Sequence, residues 1–258
     1  MARRAPRSEP SPSLTNHPAV RRSGTRVPGV ILAAGAGSRL GALGRRYSKP
    51  MLPVRGRPLI AWIIDRLHAA GVGRLIIVRH PGDAELESFV RTALPDAVLA
   101  VQPERLGIAD ALCHALPRLG REPAYLACAC DSLFQPDDIA TLIAAGADGS
   151  AAVGVLDMGV GATSTRSAVS LQGDRVDQIV EKPPPGCAPS GLVAAPLYAL
   201  PRSMDPFLRD TPALNGERYI SSALSAYARA GGVVRPVRLR ERLEVSTAAD
   251  AATLAARV

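Results

Sequence analysis

Residues 27–80 read VPGVILAAGAGSRLGALGRRYSKPMLPVRGRPLIAWIIDRLHAAGVGRLIIVRH. The opening VPGVILAAG is an apolar run that ends in small residues, the pattern of a strand buried on both faces. PLIAWIIDRLHAAG places apolar residues at helical spacing and stops at Gly71, and VGRLIIVRH reads as a second strand. Strand, loop, helix and strand in this order make a βαβ unit with parallel strands. The alternation then repeats: DAELESFVRTAL, IADALCHAL and PDDIATLIAAG read as helices, and AVLAVQ, AYLACACD and SAAVGVLDM as strands. Pro136 fits the first turn of its helix, where no amide hydrogen is needed.

Beyond residue 160 the rhythm changes. SAVSLQGDRVDQIVE has two short β-like runs around Gln172-Gly173-Asp174 and reads as a hairpin. GLVAAPLYAL and GVVRPVRLR read as strands, and RYISSALSAYARAG and AADAATLAARV as helices. The expectation is an α/β, Rossmann-like three-layer sandwich with a mostly parallel central sheet and a mixed, hairpin-containing second half. Residues 28–258 are expected to form one domain, and residues 1–27, rich in Arg, Pro and Ser without periodicity, a disordered tail.

The net charge of +8 is concentrated in that tail, where six arginines face Glu9 alone and so supply five of the eight charges. Aromatic residues make up 3% of the chain, too few for the stacking platforms of single-strand binders, which speaks against a nucleic-acid partner. No apolar run reaches the length of a membrane span and the first residues lack a secretory signal, so a cytoplasmic protein is expected. The four cysteines have no CxxC spacing and are expected to be buried free thiols. Of the 31 Lys plus Arg, only Lys49 and Lys182 are lysines. Each precedes a proline, which is expected to hold its backbone extended and to aim its side chain in a defined direction.

In open parallel sheets ligands sit beyond the carboxyl ends of the strands. That rule selects AAGAGSRLGALGRRYSKP after the first strand, Gln102 after the third and Asp131 after the fourth. Gly35, Gly37 and Gly41 let backbone amides approach phosphate oxygens. A dinucleotide fingerprint fails, because the spacing is GxGxxxG and the second strand ends in Arg79-His80 instead of an acidic residue. A Walker A loop fails for want of GK[ST]. Arg39 and Lys49 add positive charge suited to a triphosphate, and Asp131 offers the hard oxygen that Mg²⁺ prefers.

These residues also spell a family. LAAGAGSRLGALGRRYSKPMLPVRGRPLI, residues 32–60, resembles the signature of the sugar-phosphate nucleotidyltransferases, roughly LAAGxGTRLxPLTxxxPKPLLPVxxKPLI. VQPERLGIADAL resembles the family's base-binding segment, CDSLF its GDxxF, VDQIVEKP the strand to its EKP, and APSGLVAAPLYAL its TGLYxY strand. GERYISSALSAYARAGG and LEVSTAADAATL resemble its last two motifs. The resemblance runs from about residue 28 to the end and implies the nucleotide-diphospho-sugar transferase fold. It implies an enzyme that joins an NTP, UTP or dTTP above others, to a sugar 1-phosphate, with Mg²⁺, giving an NDP-sugar and pyrophosphate. In that scheme Ala33, Ala34, Gly35, Gly37 and Ser38 form the nucleotide loop, and Gln102 and Gly107 meet the base. Arg39 and Lys49 stabilise the triphosphate, Asp131 and Glu244 hold the metal, and Lys182, oriented by Glu181, holds the acceptor phosphate, with Gly191 and Tyr219 beside it.

The chain departs from the pattern mainly on the acceptor side. Tyr219 replaces a sugar-contacting glutamate, Arg166-Ser167 a Tyr-Gly pair, Cys130 a glycine, and the tryptophan before the last carboxylate is missing. Two alternatives therefore stand beside the first reading. One is a cytidylyltransferase for a polyol phosphate, phosphocholine or phosphonate. The other is a catalytically weak nucleotide-binding regulatory module. An oligomer is compatible with all three.

Overall fold

The computed structural model describes residues 26–159, 163 and 165–258, so most of the tail expected at 1–27 lies outside the described residues. The opening stretch folds as strand β1 (Gly29–Leu32), a long loop holding the short helix α1 (Ala42–Arg46), the two-residue strands β2 (Pro53–Val54) and β3 (Arg57–Pro58), and helix α2 (Leu59–Ala69). There follow β4 (Leu75–Arg79), α3 (Ala84–Ala93), β5 (Val98–Val101), α4 (Ile108–Ala115), β6 (Ala124–Ala129), β7 (Ser132–Leu133), α5 (Pro136–Ala145) and β8 (Ala151–Asp157). The second half adds β9 (Ser167–Gln172), β10 (Arg175–Glu181), β11 (Leu192–Pro201), α6 (Asp205–Arg209), α7 (Ile220–Arg229), β12 (Val234–Arg238), β13 (Leu243–Glu244) and α8 (Ala248–Arg257).

Among the described residues the main sheet has nine strands. β5, β4, β1 and β6 are parallel neighbours, β11 pairs antiparallel to β6 and to β8, and β12 lies parallel to β8. The β9–β10 hairpin turns at Gly173, whose φ of 62° suits a residue without a side chain, and it joins β11 through Val193 and Ala168. The two faces of the central strands show period-two alternation. Ile31, Ile77, Leu126 and Cys128 pack into one apolar cluster with α2, α5 and α8, while Val30, Ile76, Val78 and Ala127 pack into another with α4 and α7. This is the expected three-layer α/β sandwich.

Two features of the sheet place the site. β11 is ten residues long and passes from β6 at its carboxyl half to β9 at its amino half, with a register irregularity between Ala194 and Tyr198. The sheet divides there, beside the carboxyl end of β6. Second, β7 and β13 form a small antiparallel pair that sets Glu244 opposite Ser132, next to Asp131. Among the described residues no helix is long and apolar enough to cross a membrane.

Two expectations need correcting. Neither lysine before proline is extended. Lys49 opens a single 3₁₀ turn, Lys49–Met51, and Lys182 has φ 45°, in the left-handed region. At Lys182 the amide still donates to the Arg166 carbonyl at 3.0 Å, so the chain leaves the hairpin ladder only by turning sharply; at Lys49 the amide hydrogen bonds of the turn and an ion pair to Asp131 outweigh the clash with the proline ring. The cysteines are all free, but only Cys128 and Cys130 are buried, while Cys113 is half-buried and Cys187 exposed, because only the first two lie within or at the end of the central strand β6.

Candidate active site

The cleft where the sheet divides holds about 640 Å³. Its walls bring together Ala34, Gly35, Gly37, Ser38, Arg39 and Lys49 from the first loop with Gln102, Gly107, Asp131, Glu181, Lys182, Tyr219 and Glu244. Ala33 is buried beneath the loop and does not line the cleft. Gly191 does not line it either; a side chain there would stand 2.9 Å from the Gly159 backbone, so close packing of two loops explains that glycine.

At the floor of the loop Gly37 has φ 63°, and a Cβ at that position would come within 3.4 Å of the Lys49 Cβ. The positive φ is what asks for glycine here, and the turn it forms lies in van der Waals range of Lys49. Lys49 is only 9% exposed, and its Nζ donates to Asp131 Oδ2 at 2.7 Å. Asp131 Oδ1 accepts from Ser132 Oγ at 2.7 Å and lies 3.7 Å from Nη2 of Arg242. That same Nη2 is 3.3 Å from Glu244 Oε2, which also accepts from Nη1 of Arg166 at 3.2 Å, while Glu244 Oε1 accepts from Ser246 Oγ.

Burial pushes the Asp131 carboxyl up, but Lys49 and Arg242 outweigh it and hold the pKa below its ordinary value. Glu244 follows the same logic: burial raises it, and Arg242 and the Ser246 hydroxyl outweigh that and hold it below its ordinary value. Both carboxyls are therefore ionised at neutral pH. Two ionised carboxylates, Asp131 just before β7 and Glu244 on β13, fit magnesium, which takes one or two carboxylates and leaves room for phosphate and water. Among the described residues no group of three or more His, Cys, Asp and Glu gathers to suggest an all-protein metal cage.

One end of the cleft is built on β10. Glu181 Oε2 accepts from Ser167 Oγ at 2.6 Å and Ser221 Oγ at 3.0 Å, so the serines hold this carboxylate. Lys182 is steered instead by Tyr219, whose hydroxyl lies 3.4 Å from Nζ and whose ring centroid lies 5.2 Å from it. Tyr219 thus supplies the direct contact expected from Glu181, whose carboxylate is held by the serines and acts on Lys182 only through its charge. Desolvation opposes the Lys182 charge, yet the Tyr219 contact leaves its pKa raised, and it stays an ammonium throughout the neutral range.

The opposite end is built on Gln102. Its amide nitrogen donates to the Gly107 carbonyl at 3.1 Å and to Asp110 Oδ2 at 2.9 Å. Asp110 is fixed in turn by Arg218, which also donates to the Leu208 and Thr211 carbonyls. Gly107 has φ 93° and lies against the Arg218 backbone, where a Cβ would come within 2.7 Å. Arg105, with Nε donating to the Ala34 carbonyl at 2.9 Å, closes the wall between this end and the loop. Arg105 and Arg242 escape a reading by residue type because they are two of many arginines; Arg242 has one sequence signal, its place in the slot of the missing tryptophan, and Arg166 is marked in the sequence only by standing where a Tyr-Gly pair is expected.

Residues 29–230 match the family model described as the MobA-like NTP transferase domain. Among curated proteins the chain is similar to the bifunctional protein GlmU of Parvibaculum lavamentivorans, 32% identical over 103 residues, and to that of Burkholderia mallei, 39% identical over 90 residues. These matches cover 40% and 35% of this chain but 22% and 19% of those proteins, so the matched part spans about a fifth of their length. Among solved structures it is similar in fold to UDP-glucose pyrophosphorylase from Acinetobacter baumanii, with TM-score 0.76, 20% identity, and 90% of this chain and 93% of that one covered. A UDP-glucose pyrophosphorylase complexed with UDP-glucose gives TM-score 0.78 at 19% identity, covering 90% and 98%.

Proposed function

The chain belongs to the MobA-like NTP transferase family and is a nucleotidyltransferase, and from that premise we propose that it joins UTP or dTTP to a sugar 1-phosphate, releasing pyrophosphate. The observation that carries this reading is the order of groups along one cleft: a base-facing amide at Gln102, an ionic cluster around Lys49 and Asp131 in the middle, and Lys182 at the far end.

A phosphate monoester has a second pKa of about 6, so the acceptor is already an anionic nucleophile at neutral pH and needs no general base. The work left to the protein is to bring two polyanions together in line and to offset their repulsion with fixed cations. Lys49, with Arg39 at the cleft mouth, stabilises the triphosphate and the departing pyrophosphate, while Lys182 draws in the acceptor phosphate. Asp131 and Glu244 would hold Mg²⁺, which neutralises charge at the α-phosphate when bound.

The orientation of Gln102 supports the choice of base. Asp110 and the Gly107 carbonyl can only accept, so they take both amide hydrogens and leave Oε1 as an acceptor. Uracil and thymine offer an N3–H donor to such a group, whereas cytosine has a bare N3 and can reach the acceptor only through its 4-amino group, in a shifted position. Pyrophosphate release measured with UTP, dTTP, CTP, ATP and GTP, each crossed with sugar 1-phosphates and polyol phosphates with and without Mg²⁺, is expected to favour UTP or dTTP over CTP by about tenfold or more, about 1.4 kcal/mol. A preference for CTP with a polyol phosphate refutes the assignment. Arg166, standing where a Tyr-Gly pair would face a hexose, is the observation in favour of that second reading. Tight nucleotide binding without turnover on any pair would favour the regulatory module.

Lys182→Gly separates strain from function. Relief of a left-handed non-glycine conformation is worth about 1 kcal/mol, partly offset by glycine's entropy, so Tm is expected to rise by about 1–3 °C. In the same variant the KM for the acceptor rises at least about tenfold through loss of the ammonium. A fall in Tm, or an unchanged acceptor KM, contradicts the role given to this residue.

A further inference from the structure

We propose that Arg242 is a resident counter-cation that closes the Asp131–Glu244 pair to free divalent metal and yields only to metal arriving with nucleotide phosphate. The proposal rests on the reading of those two carboxylates as the metal-holding pair. Arg242 stands between them, its Nη2 3.3 Å from Glu244 and 3.7 Å from Asp131. Its Nε donates to Ser132 Oγ at 2.8 Å, and that hydroxyl donates onward to Asp131. The guanidinium is largely buried, and the β7–β13 pairing fixes the backbone that carries it.

All four carboxylate oxygens already have a partner. Lys49 takes one oxygen of Asp131, Ser132 and Arg242 the other; Ser246 takes one oxygen of Glu244, Arg166 and Arg242 the other. Lys49, Arg166 and Arg242 face two carboxylates, which leaves the cluster with one net positive charge. A bare divalent cation entering it must displace donors and meet like charge, at a cost that neighbouring water does not remove. A triphosphate reverses the balance, because it brings excess negative charge and offers the guanidinium a bidentate partner. Metal and nucleotide are then coupled, each raising affinity for the other.

The test is Mn²⁺ binding, read by electron paramagnetic resonance and by the Mn²⁺-induced change in Tm, on the full chain with and without UTP. Wild type is expected to bind Mn²⁺ weakly alone and tightly with UTP. Arg242→Met and Arg242→Gln, the second retaining a donor for Ser132, are expected to bind Mn²⁺ at least about tenfold tighter without UTP and to show a larger Mn²⁺-induced rise in Tm. Arg242→Lys should restore the weak binding, which a merely structural role would not predict. If the Met variant fails to fold, the Gln and Lys variants decide. Unchanged or weaker Mn²⁺ binding in the neutral variants, with UTP-dependent binding intact in wild type, overturns the proposal alone. Absence of Mn²⁺ binding in every form, with or without UTP, overturns it together with the reading of the carboxylate pair.

Discussion

Asp131→Asn lowers kcat at least about 100-fold, a loss of about 2.7 kcal/mol of transition-state stabilisation, while the protein remains folded. The asparagine keeps the shape of the side chain and removes the charge that both Lys49 and a bound cation need. Stability falls as well, because Lys49 is largely buried and loses its ion-pair partner, at a cost of about 1–3 kcal/mol. The pH dependence distinguishes this from a general weakening. The folded Asp131 carboxyl lies below its ordinary value, so its contribution to stability is full above the unfolded pKa of about 4 and fades as pH falls through the lower folded value. Thermal unfolding followed from pH 7 to pH 3 should therefore lose less Tm in the variant than in wild type. Near-normal turnover in Asp131→Asn refutes its role at the reacting phosphate.

Lys49→Ala is expected to reduce kcat by a similar factor of about 100 or more, with a smaller change in KM for the nucleotide, since the charge acts most strongly as pyrophosphate departs. Lys49→Arg is the sharper variant. Lys49 is only 9% exposed and its Nζ ends 2.7 Å from Asp131 Oδ2. The wider planar guanidinium must place its charge differently against Asp131 in this buried site, so Arg is expected to recover little of the activity. Full activity in Lys49→Arg would show that charge alone suffices at this position. Neither lysine owes its direction to an extended backbone.

The alternation of apolar runs and amphipathic segments determined the sandwich, because strands buried on both faces and helices with one apolar stripe have few other ways to cover each other. The first loop, Gln102 and Asp131 were legible for a related reason: each follows the carboxyl end of a parallel strand, where chain connectivity alone predicts a crevice. Glycines with positive φ at positions 37 and 173 are local requirements, and residue type announces them.

What the order of residues does not determine is which distant side chains compensate one another. Glu244 and Asp131 are 113 positions apart, and only the two-residue pairing of β7 with β13 makes them neighbours. Arg242 and Arg105 look like any other arginine, and Arg166 shows only as a departure from a Tyr-Gly pair, until the fold gives each a carboxylate or carbonyl to meet. Lys182 reads as extended from its proline, yet a ladder hydrogen bond to Arg166 turns it left-handed and delivers it to Tyr219 instead of Glu181. Local pattern and chain connectivity suffice for the layers and for the location of the cleft. The charge balance inside it depends on long-range pairings of a few ångströms, which only the tertiary structure decides.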